Sequence, residues 1–339
     1  MNTAAALAAS ARPLLDEHDA LLVDLDGVVQ LDDEPVTGAP QALARARERG
    51  LRVAFMTNNA ARPPQDVADR LRRLGVDADP SEVVTSAMAA ADLLGTRLPA
   101  GAAVLVVGGV GLVDAVSAAG LRPVDHDDAA VAAVVQGWGP DVGWRLLAEG
   151  AVALRRGVSW VATNADRTLP SPRGPLPGNG SLVAALTTAT GRAPEVVGKP
   201  ERALFDAAAR RAGGDAPLVV GDRLDTDIAG ARAAGLPALL VLTGVAGAAD
   251  VLGADATARP TYLGMDLGAL SEAHPSPRVE GAVAHCAEVT VTADGVVHRD
   301  NGERGDPLDV LRAACALAWN GLLPPDRYDD VLAAMSAAG

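Results

Sequence analysis

Short apolar runs alternate with helix-like periodicity in the first part of the chain. The run Ala20 to Val23 leads directly into Asp24, and the run Leu51 to Met56 leads into Thr57. Continuous apolar runs of this length are typical of parallel strands that are buried on both faces. Between them, apolar positions from Gly38 to Arg49 recur at helical spacing. A strand, a helix and a strand in this order predict a doubly wound α/β core with a parallel sheet.

The same alternation predicts a second domain inserted into the first. Residues 86–191 carry their own strands and helices, which is enough for a small α/β cap domain, and the core pattern resumes near Val196. In the tail we expect a hairpin from Ala287 to Val297 and a helix from Pro307 to Leu317. The expected domains are a core in two parts (1–85 and 192–275), the cap (86–191) and a C-terminal extension (276–339).

Composition and charge exclude several classes of ligand. The net charge is -14 and only 2% of the residues are aromatic, whereas nucleic acids and anionic membranes are bound by basic patches, with stacking rings for single strands. We therefore expect neither as a partner. Cys286 and Cys315 form no disulfide framework and have no zinc or redox spacing. With no signal peptide and no long apolar span, a cytoplasmic protein is expected.

Acidic residues follow the ends of the apolar strands. Because carboxyl ends of adjacent parallel strands meet at one edge of a sheet, we expect these side chains to cluster. Two carboxylates about 4 Å apart repel by roughly 4 kcal/mol at an effective dielectric constant near 20, so a cation is expected among them. No His or Cys occurs in these segments, and an all-oxygen donor set favours Mg2+. The residues are Asp24, Asp26, Asp222 and Asp227.

A hard cation beside a carboxylate suits phosphoryl transfer. We expect Asp24 to attack the phosphorus atom and form an acyl phosphate. Asp26, two residues later, is expected to protonate the leaving alcohol and then to activate the water that cleaves the intermediate. The groups expected to bind the phosphate oxygens are Thr57, the backbone amides of Asn58 and Asn59, and Lys199.

These segments resemble the four ordered motifs of the haloacid dehalogenase superfamily of hydrolases. They are DLDGVVQ from Asp24, MTNN from Met56, VGKP from Val197 and GDRLDTDI from Gly221. The insert between the second and third motifs resembles the α/β cap of the class that includes NagD-like enzymes, 4-nitrophenylphosphatase and phosphoglycolate phosphatase. The cap segments that carry this resemblance are VVGGVGL, ATNADRTLP and PGNGSLV.

The resemblance implies a magnesium-dependent phosphatase whose cap closes over the active site and which is able to form a homodimer. It implies that Mg2+ is bound by Asp24, Asp222 and the backbone carbonyl of Asp26, with Asp227 nearby. We also assign substrate contacts to Gly27, Asn58 and Asn59. Within the class the chain is similar to actinobacterial glycerol 3-phosphate phosphatases, which also carry a C-terminal extension. The expected substrate is therefore a small phosphorylated metabolite, with glycerol 3-phosphate first.

Other functions remain open from the sequence. Phosphoglycolate, a sugar phosphate or a nucleotide is an alternative substrate. A catalytically silent sensor of phosphorylated metabolites is a second alternative, although it would not need the nucleophile Asp24. A dinucleotide-binding oxidoreductase is a third, suggested by Gly108, Gly109 and Gly111 after a strand, but the glycine fingerprint is incomplete and a tight turn is favoured.

Several single residues have structural interpretations. Asp225 is expected to be a helix N-cap. The tryptophans Trp138, Trp144 and Trp160 are expected in the core, and the histidines at the surface or in caps. Substrate contact and a structural role are equally favoured for Asn164, Asp166 and the Gly178-Asn179-Gly180 turn.

Overall fold

The computed structural model describes residues 6–169, 171, 173–299 and 306–336. The strands are β1 Ala20–Asp24, β2 Gln30–Leu31, β3 Glu34–Pro35, β4 Arg52–Thr57, β5 Val83–Thr85, β6 Ala103–Val107, β7 Arg122–Val124, β8 Val131–Gln136, β9 Ser159–Ala162, β10 Thr168–Leu169, β11 Leu176–Pro177, β12 Glu195–Val196, β13 Pro217–Gly221, β14 Ala238–Val241, β15 Tyr262–Gly264, β16 Arg278–Glu280, β17 Val283–Cys286, β18 Val289–Thr292 and β19 Val297–Arg299. The helices are α1 Ala39–Glu48, α2 Pro64–Arg73, α3 Ser86–Arg97, α4 Val110–Ala118, α5 Trp144–Arg155, α6 Asn179–Thr190, α7 Arg202–Ala212, α8 Ala229–Ala234, α9 Ala248–Leu252, α10 Pro307–Trp319 and α11 Tyr328–Ser336.

Two compact units make up the chain. The first contains Met1–Val53, Leu74–Asp77 and Ala212–Gly339, and the second contains Ala54–Arg73 and Ala78–Arg211. The four-domain division made from the sequence stays a prediction. Among the described helices, none is long and apolar enough to cross a membrane.

The first unit is built on the parallel strands β1, β13, β14 and β15, which lie in the order β15-β14-β13-β1. Their residues are almost entirely buried, as the continuous apolar runs predict. Val23 is paired with Val220, so β1 and β13 end side by side at the same edge. The α/β fold with a parallel sheet is thus confirmed, and this pairing sets the position of the acidic residues that follow the two strands.

The C-terminal part of the first unit is a four-stranded antiparallel sheet, β16-β17-β18-β19, that packs against α10. The expected hairpin is confirmed as β18 and β19, and the expected helix extends to Trp319. The sequence did not predict β16 and β17, which have only three and four residues. β18 and β19 are equally short, but the Asp294-Gly295 turn between them marks a hairpin.

A buried arginine ties α10 to the parallel sheet. Arg312 is 4% exposed and lies 2.7 Å from the carboxylate of Asp309, which is 7% exposed. Its guanidinium also donates a hydrogen bond of 3.0 Å to the carbonyl of Leu263 in β15. Burial raises the pKa of Asp309 although Arg312 opposes the rise. The ion pair therefore needs both partners, since either charge alone would be buried without compensation.

The second unit is built on another parallel sheet, with the order β12-β9-β8-β6-β7. Leu105 and Val107, two residues apart in β6, share one face of this sheet and pack in a core cluster with Leu154 of α5 and Leu186 of α6. In the same unit, β4 runs parallel to β5 with Thr57 opposite Thr85. The carboxyl ends of β4 and β5 therefore lie together.

Two structural expectations from the sequence are wrong. Trp160 lies in the core, but the side chain of Trp144 is 83% exposed because it begins α5, whose buried positions are in its second half. His274, expected at the surface or in a cap, is 2% exposed. Its Nε2 atom donates to the carbonyl of Ala269 at 2.9 Å, and its ring packs against Tyr262. Burial lowers the pKa of this histidine.

Replacing Arg312 tests the buried ion pair. We expect Arg312→Ala to lower the free energy of unfolding by about 3 to 5 kcal/mol, because Asp309 would remain buried and charged. Arg278→Ala is the matched control, since Arg278 is 78% exposed in its pair with Glu280. Its loss should lower the free energy of unfolding by less than about 1 kcal/mol. Urea unfolding measures both. Equal losses in the two variants would contradict the assignment.

The buried His274 predicts a loss of stability in mild acid. Its pKa in the folded protein is lower than the ordinary 6.5, so the unfolded chain takes up the proton first as pH falls. The stabilisation is complete above about pH 6.5 and is lost as pH falls through the folded value. We expect His274→Gln to flatten the decrease in melting temperature between about pH 7.5 and 5.5. The exposed His298→Gln should leave that slope unchanged, and an unchanged slope in His274→Gln would contradict the prediction.

Candidate active site

Three carboxylates meet at the carboxyl edge of the first unit's sheet. Asp24 is the last residue of β1, Asp222 follows β13 directly, and Asp227 lies in the turn after it. One oxygen atom of each lies within 4.8 Å of the others. Asp24 is 9% exposed, and Asp222 and Asp227 are fully buried. The structure thus brings together three of the four acids that the sequence placed at this edge.

Backbone groups and glycines fix these carboxylates in place. The amide of Val245 donates to Asp222 Oδ2 at 2.7 Å, and the amide of Arg223 donates to Asp227 Oδ2 at 3.1 Å. A Cβ atom on Gly244 would lie 2.0 Å from Asp222 Oδ2, and one on Gly27 would lie 2.3 Å from it. The Asp222 side chain therefore occupies space that only glycine neighbours leave open.

The turn that carries Asp227 is a single turn of π-helix, Leu224–Ile228, followed by α8. Such turns are rare and occur frequently at functional sites, because the wider ring re-aims a side chain. Asp227 is the fourth of the five residues of this turn and faces Gly221. A Cβ atom built on Gly221 would lie 2.2 Å from the Cβ atom of Asp227. The local backbone thus directs Asp227 inwards.

Asp26 has a different environment from the three clustered acids. Its side chain is exposed, and Oδ1 accepts a hydrogen bond of 2.8 Å from the buried Gln30. The Gly27 amide donates to the Gln30 carbonyl at 2.7 Å, and the Thr243 hydroxyl donates to the Gly27 carbonyl at 2.6 Å. Gly27, which follows Asp26, is therefore held through both its amide and its carbonyl, while the Asp26 carboxylate faces solvent.

Thr57 lies at the end of β4 in the second unit and is 4% exposed. Its Oγ1 atom accepts the Asn59 amide at 3.0 Å, and the Asn59 side chain accepts the Ala61 amide at 2.9 Å. The Asn59 amide is therefore hydrogen-bonded within this turn, and its expected phosphate contact stays a prediction. The Thr57 hydroxyl acts only as an acceptor in the first contact, so its own proton can be donated to a ligand.

Lys199 and Asn58 lie together in the second unit. Lys199 is 5% exposed, and its backbone amide donates to Asn58 Oδ1 at 2.8 Å. The asparagine side chain is thus engaged with the protein. Substrate contacts by Gly27, Asn58 and Asn59 stay predictions.

The donor set at the first unit's edge fits Mg2+. Three carboxylates at this spacing repel one another strongly in a buried setting, and a divalent cation removes the repulsion. All the donors are oxygen atoms, which Mg2+ prefers. Asp24, Asp222 and Asp227 offer side-chain oxygens for such an ion.

Two family models match separate segments of the chain. A haloacid dehalogenase-like hydrolase model matches residues 21–122, and a HAD-hydrolase-like model matches residues 196–270. A D-glycerol 3-phosphate phosphatase of Mycobacterium tuberculosis is 49% identical over 91% of this chain and 88% of its own length. The chain belongs to the haloacid dehalogenase-like hydrolase family. The resemblance of the four motifs is thereby confirmed.

Solved structures of this hydrolase family share the fold. A crystal structure of a Mycobacterium tuberculosis glycerol phosphate phosphatase in complex with magnesium has a TM-score of 0.82 and 45% identity, covering 91% of this chain and 92% of that one. A p-nitrophenyl phosphatase from Archaeoglobus fulgidus has a TM-score of 0.69 and 31% identity, covering 75% of this chain and 98% of that one. An acid sugar phosphatase of Staphylococcus aureus is 36% identical over 75% of this chain and 96% of its own length.

The hydrolase motif around Asp222 contains one residue that the sequence analysis placed wrongly. Asp225 caps no helix, because the chain continues as a π-helical turn and no side-chain capping bond forms at its start. Its carboxylate instead pairs with Arg223 at 2.8 Å, which lowers the pKa of Asp225. Leaving Asp225 out of the site agrees with its exposed position.

Residues that support Asp222 from the loop after β14 were missed. Thr243, Gly244 and Val245 follow the buried run Ala238–Val241, and two of them hold Asp222 or Gly27 through hydrogen bonds. The signal was present, since a glycine just beyond the carboxyl end of a buried parallel strand marks a close approach to the ligand edge.

Gly244→Ala tests the glycine-lined position of Asp222. We expect the new methyl group to displace the Asp222 carboxylate and to abolish most of the thermal stabilisation that millimolar Mg2+ gives the wild type. Gly247→Ala is the matched control in the same loop, because its Cβ atom would meet Asp250 at an ordinary 3.6 Å. Differential scanning fluorimetry with and without Mg2+ measures this effect. Wild-type stabilisation of Gly244→Ala by Mg2+ would contradict the assignment.

Proposed function

We propose that the protein is a magnesium-dependent phosphatase that hydrolyses a small phosphomonoester, with glycerol 3-phosphate as its first candidate substrate. The observation that carries this proposal is the cluster of Asp24, Asp222 and Asp227, one of which ends a strand at the ligand-binding edge of the sheet. Magnesium bound there would neutralise phosphate oxygens and so lower the barrier to attack by an anionic carboxylate.

Asp24 acts as the nucleophile in this proposal. Its carboxylate oxygen forms a bond to phosphorus while the bond between phosphorus and the alcohol oxygen breaks. Asp26 donates its proton to the departing alcohol oxygen, and Gln30 holds the Asp26 carboxylate in one orientation through the bond of 2.8 Å. The products of this step are the free alcohol and an aspartyl phosphate on Asp24.

A water molecule then cleaves the aspartyl phosphate. Asp26, now ionised, accepts a proton from that water as the water oxygen bonds to phosphorus, and the bond from phosphorus to Asp24 breaks. Inorganic phosphate leaves and both carboxylates return to their initial state. The exposure of Asp26 supports this role, because a group that first releases and then accepts a proton needs access to the alcohol and to water.

Thr57 and Lys199 are proposed to bind the phosphoryl oxygens. Thr57 offers a hydroxyl proton at a strand end, and Lys199 offers a positive charge in a chain whose net charge is -14. Because Lys199 is almost fully buried, its charge is screened less by water than that of a surface lysine.

The choice of glycerol 3-phosphate is supported by the relatives. The Mycobacterium tuberculosis protein that matches 91% of this chain is named for this substrate, whereas the acid sugar phosphatase and p-nitrophenyl phosphatase relatives match 75%. Dimerisation and a cytoplasmic location stay predictions from the sequence, and the free, buried cysteines agree with the second.

Phosphate release by wild type and Asp24→Asn tests the proposed function. The panel contains glycerol 3-phosphate, 2-phosphoglycolate, 4-nitrophenyl phosphate, sugar phosphates and nucleoside monophosphates, each with and without Mg2+. We expect turnover only with Mg2+, a preference for glycerol 3-phosphate, and a loss of at least about 10³-fold in Asp24→Asn because the nucleophile is removed.

Asp225→Asn is the control for this experiment, since it changes an exposed acid of the same motif and should retain activity within about threefold. Preference for another member of the panel would change the substrate and leave the mechanism standing. Absence of turnover on every phosphate would overturn the proposal in favour of a sensor of phosphorylated metabolites.

A further inference from the structure

The side chain of Asn58 contacts the backbone of Lys199 at two points. Asn58 Oδ1 accepts the Lys199 amide at 2.8 Å, and Asn58 Nδ2 donates to the Lys199 carbonyl at 3.3 Å. A primary amide that binds both the N–H and the C=O of one residue fixes the orientation of that residue's backbone. The direction in which the Lys199 side chain leaves the backbone is thereby fixed as well.

The same asparagine is the centre of a wider network in the second unit. Its Nδ2 atom also donates to Asp166 Oδ2 at 3.2 Å, and its backbone carbonyl accepts from Ser86 at 2.7 Å and from Asn164 at 2.8 Å. The Asn164 carbonyl in turn accepts from Asn179 at 2.7 Å. The network thus joins the end of β4 to the starts of α3 and α6 and to the loop after β9.

Burial and close packing make this network rigid. Ser86, Asn164 and Asn179 are each at most 5% exposed. Gly198, beside Lys199, leaves no room for a side chain, since a Cβ atom there would lie 2.7 Å from Asn58 Oδ1 and 2.3 Å from the Thr163 carbonyl. Hydrogen bonds in such a buried setting reinforce one another and allow a single arrangement.

We propose that Asn58 is a positioning residue that acts through Lys199. It holds the Lys199 backbone so that the ammonium group is aimed at the substrate's phosphoryl group, and it couples that lysine to the Asn164 and Asp166 loop. This inference rests on the proposed function. It gives the Asn58 side chain a role beside the backbone-amide contact that the sequence suggested, and both polar atoms of the side-chain amide already bind protein groups.

A double-mutant cycle between Asn58 and Lys199 tests the inference. We expect Asn58→Ala to lower kcat/KM for glycerol 3-phosphate by about 10- to 100-fold, the usual result of a small misplacement of a catalytic group. Lys199→Ala should lower kcat/KM by a larger factor than Asn58→Ala does. The kcat/KM of the double variant should equal that of Lys199→Ala within about twofold, because without the lysine side chain the loss of Asn58 has nothing left to misplace. If the fold-losses of the two single variants multiply in the double variant, the inference is overturned.

A reciprocal exchange separates positioning from a general structural role. In Asn58→Asp one oxygen still accepts the Lys199 amide, but the other faces the Asp166 carboxylate and the Lys199 carbonyl without a donor between them. Adding Asp166→Asn restores a donor and an acceptor at that contact. We expect the combination to recover at least about tenfold of the activity that Asn58→Asp loses. No recovery in a folded double variant would count against the network.

Affinity for inorganic phosphate in the presence of Mg2+, measured by calorimetry on the full chain, provides a readout without turnover. Asn58→Ala should weaken phosphate binding in the same direction as Lys199→Ala. Arg97→Ala, which breaks the exposed pair with Glu195 in the same unit, is the control and should bind phosphate like wild type. If Asn58→Ala binds phosphate as tightly as the wild type does, the inference fails but the proposed function stands. If the wild-type protein hydrolyses none of the phosphates, the proposed function fails.

Discussion

The repulsion among Asp24, Asp222 and Asp227 is the constraint on which the rest of the site depends. Asp222 and Asp227 cannot move away, because both are fully buried and each accepts a backbone amide, and Asp24 ends the strand that pairs with β13. Gly27 and Gly244 bring the neighbouring backbone against Asp222 so closely that no other residue fits. A protein that holds three like charges in this way stabilises whatever cation binds among them, and the energy of that binding is available for chemistry.

In the second unit the group that must be held in place is the positive charge of Lys199. A buried lysine has many rotamers and one charge, and its value to catalysis depends on where that charge is held. Here the backbone of Lys199 is fixed by the side-chain amide of Asn58. The neighbouring Gly198 is packed so closely that no side chain fits there. In the first unit the acidic groups are held by close contact with glycine backbone. In the second unit the backbone of the lysine is held by a side-chain amide. In both units the rigidity of the site therefore comes from the backbone.

The sequence predicted the acidic cluster well because its signal is local. The apolar run of β1 and the run of β13 each end directly before an acid, and parallel pairing places those ends together. The Asn58 network could not be predicted in this way, since its partners Asn164 and Lys199 lie 106 and 141 residues away. Asp225 was misplaced because capping rules assume an α-helix, and the chain forms a π-helical turn there.

The region beyond the family models, which end at residue 270, is a structural part of the first unit. β15 is the edge strand of the parallel sheet, and its Leu263 carbonyl is bound by Arg312 from α10. Most of α10 is buried, and it packs on both β15 and the C-terminal sheet. An uncovered edge strand offers unpaired backbone groups to other chains, so covering it prevents pairing at this edge. The extension therefore stabilises the sheet in which β1 carries Asp24, and its removal would act on the site through that sheet.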